Sequence, residues 1–69
     1  MKEYVFLTSK RYKIVINVDH SDSWQYDIYN LNLNDTLVGG GNCGADVSNV
    51  EDALAFALRF YDVGEILDD

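Results

Sequence analysis

The sequence predicts a small α+β domain of two layers, in which a three- to four-stranded antiparallel sheet is packed by one C-terminal helix. Three observations lead to this fold class. Polar and apolar side chains alternate in the first half of the chain, turn-forming residues separate the alternating stretches, and one segment near the end has apolar residues at helical spacing. Because 69 residues leave room for one hydrophobic core, residues 1–69 are expected to form a single domain.

Three segments in the first half have the composition of β-strands and span residues 3–8, 12–18 and 24–33. The sequence leaves open whether residues 36–38, which run into three glycines, start a fourth strand. The second strand is the clearest, because Ile14 and Ile16 share one face in the two-residue period of a half-buried strand. In the third strand, Leu31 and Leu33 fall on the polar face. Either a bulge shifts the alternation near Asn30, or these two leucines pack under a loop.

One helix is predicted over residues 49–62. Ser48 and Glu51 have the spacing of a capping box, in which the serine hydroxyl accepts from the backbone N–H of Glu51 and the glutamate reaches back to the serine N–H. The apolar stripe expected to face the sheet consists of Val50, Ala53, Leu54, Ala57, Leu58 and Tyr61. We expect Gly64 to end the helix in a left-handed conformation and residues 65–69 to form an acidic tail.

The formal net charge is -7, and it is divided unevenly along the chain. Residues 1–13 contain four basic side chains and one acid, whereas residues 14–69 contain eleven acids and a single base, Arg59. A field of this sign repels nucleic acid and anionic membranes and attracts basic protein surfaces. A high net charge also keeps small proteins soluble without any electrostatic partner, and the sequence leaves that simpler interpretation open.

Residues that support catalysis or hold cofactors are scarce. Cys43 and His20 are each the only residue of their kind, so a zinc site is two ligands short and no local pattern pairs them as nucleophile and base. The spacing that begins at Asp19 matches the opening of a calcium loop, but Trp24 stands where the turn requires glycine and Asn30 where a glutamate is required. The glycine-rich segment lacks the lysine of a phosphate-binding loop. We expect no enzymatic activity, no metal and no cofactor.

The chain is expected to work in the cytoplasm; a monomer is favoured, and the sequence leaves the oligomeric state open. No apolar run approaches the roughly 20 residues of a membrane-spanning helix, and the amino terminus does not have the pattern of a signal peptide. A lone cysteine cannot form an internal disulfide, and a free thiol is tolerated best in a reducing compartment.

The best candidate for a functional surface is an array of carboxylates. Acids two residues apart on one strand, or on neighbouring strands, are separated by about 5–7 Å. This density imitates in part the phosphates of a nucleic-acid duplex. The candidate partner-binding residues are Asp22, Asp27, Asp46, Glu51, Asp52, Asp62 and Glu65. Each of them taken singly is also explained as a solvated carboxylate, and Glu51 and Asp52 as residues stabilised by the helix dipole.

Two classes of function follow from these observations. The first is an acidic inhibitor that binds a basic nucleic-acid-binding protein or complex in place of nucleic acid, without itself contacting nucleic acid or membrane. The second is a small protein-protein interaction module without such mimicry. Exposed aromatic side chains such as Tyr29 and Phe56 would anchor its interface, and charge would only raise the association rate. Ionic strength separates the two, because binding through many surface carboxylates weakens steeply with salt.

In length, acidity and element order, the whole chain resembles the small phage-encoded anti-CRISPR proteins that act on type I CRISPR complexes. The resemblance implies a protein made in the host bacterial cytoplasm that binds a basic surface of a CRISPR effector, where target DNA or its adjacent motif is read. It also implies an α+β fold without enzymatic activity.

Overall fold

Four antiparallel strands and one α-helix, described for residues 2–67 by a computed structural model, form the two predicted layers. The elements are β1 (Lys2–Leu7), β2 (Tyr12–Val18), β3 (Trp24–Asn30), β4 (Thr36–Asn42) and α1 (Val50–Leu58). The strands lie side by side in chain order, and each is antiparallel to the next. This architecture confirms the predicted α+β class, with one helix packed against a sheet of four strands.

The hydrophobic core lies between α1 and one face of the sheet. Ile14 lies beside Ile28 on the neighbouring strand, Ile16 shares their face, and all three side chains are fully buried. Ala53 and Ala57 of the helix are equally buried. Their small side chains let the helix backbone approach the sheet closely, and the larger helical side chains Val50, Leu54 and Phe56 pack around them, partly buried.

The other face of the sheet, the open face, has no helix packed on it among the described residues. Three rows of side chains cross all four strands on this face: Glu3–Asn17–Gln25–Asn42, Val5–Val15–Asp27–Gly40 and Leu7–Lys13–Tyr29–Leu37. Val5, Leu7 and Leu37 are about half exposed. The open face therefore has exposed apolar side chains on both edge strands, carries Lys13 and Asp27 on its middle strands, and is polar along the row that begins at Glu3.

The strand boundaries differ from the prediction on the side of β3 and β4. The third strand ends at Asn30, whose side chain accepts from the backbone of Asn32 at 2.9 Å and caps a 3-10 turn over Leu31–Leu33. The alternation of side chains in β3 therefore ends in a turn after Asn30. A bulge is also present nearby, where the register between β3 and β4 shifts at Ile28 and Tyr29. The fourth strand continues to Asn42 because ladder pairing with β3 outweighs the low strand propensity of three glycines.

The helix is shorter than predicted and begins at a different cap. Asn49, not Ser48, is the N-cap: it is extended, and its side chain accepts from the backbone N–H of Asp52 at 2.9 Å. The helix ends at Leu58, because the segment that follows is drawn across the sheet: the Tyr61 hydroxyl donates to the Val38 carbonyl.

Several residues expected at the end of the helix have other places. Leu58, predicted to lie in the buried stripe, is exposed, and Tyr61 lies beyond the helix against Gly39. Gly64 does adopt a left-handed conformation, at φ 85°, but it does so away from the helix end. A side chain at this position would meet the Ser9 hydroxyl, so glycine lets the chain pass beside the turn between β1 and β2.

The predicted acidic tail is in part a strand-like segment on the outer edge of β1. Thr8 forms an antiparallel bridge with Ile66. The Ser9 N–H donates to the Glu65 carbonyl at 2.8 Å, and the Leu67 N–H donates to the Leu7 carbonyl at 2.9 Å. The remaining tail residues, 68 and 69, lie outside the described residues. Within residues 2–67, no helix is long and apolar enough to cross a membrane.

Candidate functional site

The structure gathers several carboxylates at one end of the sheet. In an antiparallel meander, the turn between β2 and β3 and the end of β4 lie at the same end. The Cys43 N–H donates to the Trp24 carbonyl at 2.8 Å, so the loop after β4 starts beside that turn. We call the carboxylates of this turn, this loop and the first turn of α1 the acidic end; they are Asp19, Asp22, Asp46, Glu51 and Asp52.

Asp46 and Asp52 border one shallow cleft of about 330 Å³. One wall is the loop Cys43–Val47, and the other is the face of α1 that carries Asp52, Phe56 and Arg59. The Cys43 thiol is buried, and burial raises its pKa, so it stays protonated near neutral pH. The cleft therefore combines two carboxylates and the Arg59 guanidinium with a buried, protonated thiol.

Asp52 has a structural role as well as a charge. Its backbone N–H donates to Asn49 Oδ1 at 2.9 Å, and the Asn49 side-chain amide donates to Asp52 Oδ2 at 3.1 Å. Glu51 and Asp52 both lie in the first turn of the helix, where the dipole stabilises negative charge. Both side chains are exposed at the surface.

Asp19 belongs to the acidic end, although its sequence position indicated only a turn. Its carboxylate accepts from the backbone N–H groups of Ser23 at 3.1 Å and Ser21 at 2.8 Å. These bonds lower its pKa, with the bond from Ser23 as the largest cause. The signal that could have identified it is the Asp-x-Ser-x-Ser pattern, in which the aspartate carboxylate accepts hydrogen bonds from the backbone N–H groups of the turn.

Two of the predicted site residues lie at the opposite end of the sheet, among cations. Asp62 Oδ2 lies 2.6 Å from Lys10 Nζ, and the hydrogen bond from Lys10 lowers the pKa of Asp62. Glu65 lies beside the same turn, where its backbone N–H donates to the Ser9 hydroxyl at 2.9 Å. Asp62 and Glu65 therefore do not join the acidic end.

Asp27 is separate from both ends. It lies in the middle of the open face, half-buried, and its carboxylate extends over Gly40 of β4. The seven predicted residues thus lie in three places: Asp22, Asp46, Glu51 and Asp52 at the acidic end, Asp27 on the open face, and Asp62 and Glu65 at the far end. They do not form one continuous lattice.

The aromatic residues named as anchors are less exposed than predicted. Phe56 packs edge-on against Tyr26, with ring centroids 5.8 Å apart, and belongs to the margin of the core. Tyr29 is half-buried on the open face under Lys13, whose Nζ lies 4.7 Å from the ring centroid. The aromatic side chain that sequence reasoning missed is Phe60, which is 55% exposed because the helix ends before it.

Groups of three or more potential metal ligands are not found among the described residues. His20 is exposed in the turn between β2 and β3. In comparisons with known proteins, no family model, no curated sequence and no solved structure matches this chain. Its function is therefore inferred from its own side chains and surfaces.

Proposed function

We propose that this chain is an acidic binding protein that docks its acidic end on a basic, nucleic-acid-binding surface of a protein partner and thereby excludes nucleic acid. The observation that supports this function is the separation of charge along the sheet. Asp22, Asp46 and Glu51 are exposed at one end, whereas Lys10 and Lys13 at the other are paired with acids of their own.

Two of the five basic residues are paired with acids at the far end of the sheet. Lys10 and Asp62 are 2.6 Å apart, and Lys13 and Asp35 are 3.1 Å apart, so these cations are neutralised locally. Arg59 lines the same cleft as Asp46 and Asp52. Lys2 lies opposite Val18, at the same end of the sheet. These two cations offset part of the charge of the five carboxylates, and the remaining excess of negative charge attracts a Lys/Arg-lined groove and repels nucleic acid.

The resemblance to the anti-CRISPR proteins selects a type I CRISPR effector as the first partner to test. Such a complex binds target DNA through basic grooves, and an acidic protein placed there competes with phosphates for the same cations. Inhibition of this kind needs no chemistry from the inhibitor. It is consistent with a cleft that has charge but no activated nucleophile.

The test compares the same charge change at the two ends of the molecule. Glu51→Lys/Asp52→Lys reverses two charges at the acidic end, and Asp62→Lys/Glu65→Lys reverses two at the far end. Association of each variant with the purified effector is followed at several salt concentrations, with circular dichroism as the folding control. We expect the first variant to associate about tenfold more slowly than the wild type and the second to change much less, because salt screens charges that lie more than about 10 Å from the docking surface.

Competition with target DNA completes the test. Wild-type protein should displace a duplex from the effector, and displacement should weaken steeply as salt rises. If the two double variants lose affinity equally, or if binding is independent of salt, the acidic end is not the docking surface. If the effector does not bind, the wild-type protein is used to capture binding proteins from a nuclease-treated bacterial lysate. The captured proteins are the next candidate partners, and the same two double variants are compared on them.

A second candidate function, an interaction module anchored by aromatics, is favoured by Phe60. Its ring is more than half exposed and stacks on Tyr26, with centroids 6.1 Å apart. Large exposed aromatic side chains of this kind are enriched in interface hot spots. Phe60→Ala distinguishes this function from the first: a large loss of affinity with unchanged salt dependence indicates an aromatic anchor, and unchanged affinity rules it out.

A further inference from the structure

We propose that the outer edge of β4 binds an extended basic segment of the partner, which pairs with Gly40 and Asn42 and adds a fifth strand to the sheet. This inference rests on the proposed function in one respect, that the partner is basic. It adds the place on the sheet, the backbone groups and the side-chain pattern that the segment must have.

The two edges of the sheet are treated differently by the rest of the chain. The outer edge of β1 is covered at its end by residues 65–67, which bond to Leu7 and Ser9. No segment of residues 2–67 pairs with the outer edge of β4. Native proteins usually protect such an edge with lysine, proline or a covering element. From Gly40 to Asn42, β4 has none of these.

The register determines which backbone groups of β4 point outward. Cys43 and Trp24 are directly opposed and hydrogen-bonded, so Cys43 is a hydrogen-bonding position of the ladder with β3. Hydrogen-bonded positions alternate with non-hydrogen-bonded ones along an antiparallel pair, so Gly41 is also hydrogen-bonded to β3. Gly40 and Asn42 are the positions in between, and their N–H and C=O groups point away from β3. An added strand pairs with these outward groups.

On the open face, the missing side chain of Gly40 gives access to Asp27. A Cβ placed on Gly40 would lie 2.7 Å from Asp27 Oδ1, so the carboxylate already extends over β4. The residue of an added strand opposite Gly40 has its side chain on this same face, about 4.8 Å farther out. A lysine or arginine at that position reaches across the glycine to Asp27, whereas an acidic residue is repelled.

On the helix side, the same edge is lined by aromatic rings. Tyr61 packs against Gly39, and Tyr26, with Phe60 stacked on it, lies beside Gly41. Residues of the added strand that flank the basic one have their side chains on this face, since successive side chains alternate. The edge therefore selects a segment in which basic and apolar residues alternate, which is how added strands acquire specificity.

A second copy of the chain fits this edge less well than a basic partner. Two β4 edges that paired antiparallel around Gly40 would bring the two Asp27 carboxylates towards each other. Each chain also has a formal charge of -7. Both features oppose self-association and favour a basic occupant.

The experiment uses three peptide probes with identical charge and a fourth of opposite charge. The first is an acetylated and amidated hexapeptide that alternates valine with arginine, titrated into isotopically labelled protein and followed by the backbone amide resonances. The second carries N-methyl groups on the arginines, which removes the N–H groups that face β4. The third carries them on the valines, which removes those that face away. A valine–glutamate peptide reports on charge.

We expect the unmodified and the valine-methylated peptides to bind with similar affinity and to shift the amides of Gly40, Gly41 and Asn42. Methylation at arginine should weaken binding about tenfold, since it removes the backbone hydrogen bonds to the edge. Asp27→Asn should weaken binding of the unmodified peptide more than Asp22→Asn, which removes the same charge from the acidic end. The valine–glutamate peptide should not bind.

Three results overturn the inference. One is that the two methylated peptides bind equally well and shift only the amide resonances of Asp46 and Glu51. The proposed function would then still stand, because a basic ligand binds the acidic end. Another is the absence of binding by any peptide, after which the proposed function is judged by the effector assay alone. The third is a protein that sediments as a dimer, with β4 amides that change on dilution, which would make a second copy the occupant.

Discussion

The N-terminal cap of α1 provides the sharpest test of the helix start. Asn49 Oδ1 accepts from the backbone N–H of Asp52 at 2.9 Å, and the amide nitrogen donates to the Asp52 carboxylate at 3.1 Å. Asn49→Ala removes both bonds and leaves a helix N–H without its side-chain acceptor. Because the site is exposed and water replaces part of what is lost, we expect a cost of about 1 kcal/mol in the free energy of unfolding.

The assay is urea unfolding followed by circular dichroism. For a chain of this size, a urea dependence of about 1 kcal/mol per molar converts the loss into a midpoint lower by about 1 M. Ser48→Ala is the matched control: Ser48 is exposed and is not the cap, so the midpoint should move by no more than about half that amount. Asn49→Ser should restore most of the stability, since serine also caps well.

The opposite order of effects on the urea midpoint in the two alanine variants refutes this reasoning. If Ser48→Ala lowers the midpoint and Asn49→Ala does not, the helix begins one residue earlier, with the capping box that the sequence pattern predicts. A midpoint unchanged in both variants would show that neither side chain caps the helix.

Three further predictions follow from particular contacts. Gly39→Ala places a Cβ 2.5 Å from Tyr61 Cε2, so we expect a loss of about 1 kcal/mol by urea unfolding that largely disappears in a Tyr61→Ala background. Burial raises the pKa of Cys43, so the folded state holds the thiol proton more tightly than the unfolded state. The resulting stability is fully present below about pH 8.5 and falls as pH rises above it, and the same unfolding series on Cys43→Ala should lack this part of the decline. The pKa of Asp62 is lowered chiefly by Lys10, so an NMR titration of Lys10→Met should show it nearer the usual aspartate range; an unchanged titration would mean that the ion pair does not form in solution.

The candidate site was only partly predictable from the sequence. The excess of carboxylates after Ile14 is visible in the sequence, and four of the seven predicted residues do lie at one end of the sheet. The sequence does not show that Asp62 lies beside Lys10, 52 positions away. Proximity of that kind is set by the path of the whole chain, and no local pattern records it.

The aromatic residues show the same limitation. Helical spacing places Phe56 outside the apolar stripe predicted to face the sheet. Its ring is therefore expected to be exposed. In the structure, Tyr26 is buried in the core, and its ring packs against both Phe56 and Phe60. The more exposed aromatic side chain is therefore Phe60, just past the helix, where a prediction from periodicity places more helix.

By itself, the sequence determined the fold class, the order of the elements and the bounds of β2, which the structure places at Tyr12–Val18 as predicted. These depend on local alternation and on turn residues, both of which can be read from neighbouring positions. The tertiary structure alone decided that β4 continues through its glycines, that α1 ends at Leu58 and that no segment of residues 2–67 covers the β4 edge. The first two depend on contacts between residues that are apart in the sequence: the ladder of β4 with β3, and the hydroxyl of Tyr61 on the Val38 carbonyl. Such contacts outweigh local propensities of a fraction of a kcal/mol per residue, about 0.7 kcal/mol at most for ordinary residues in a helix.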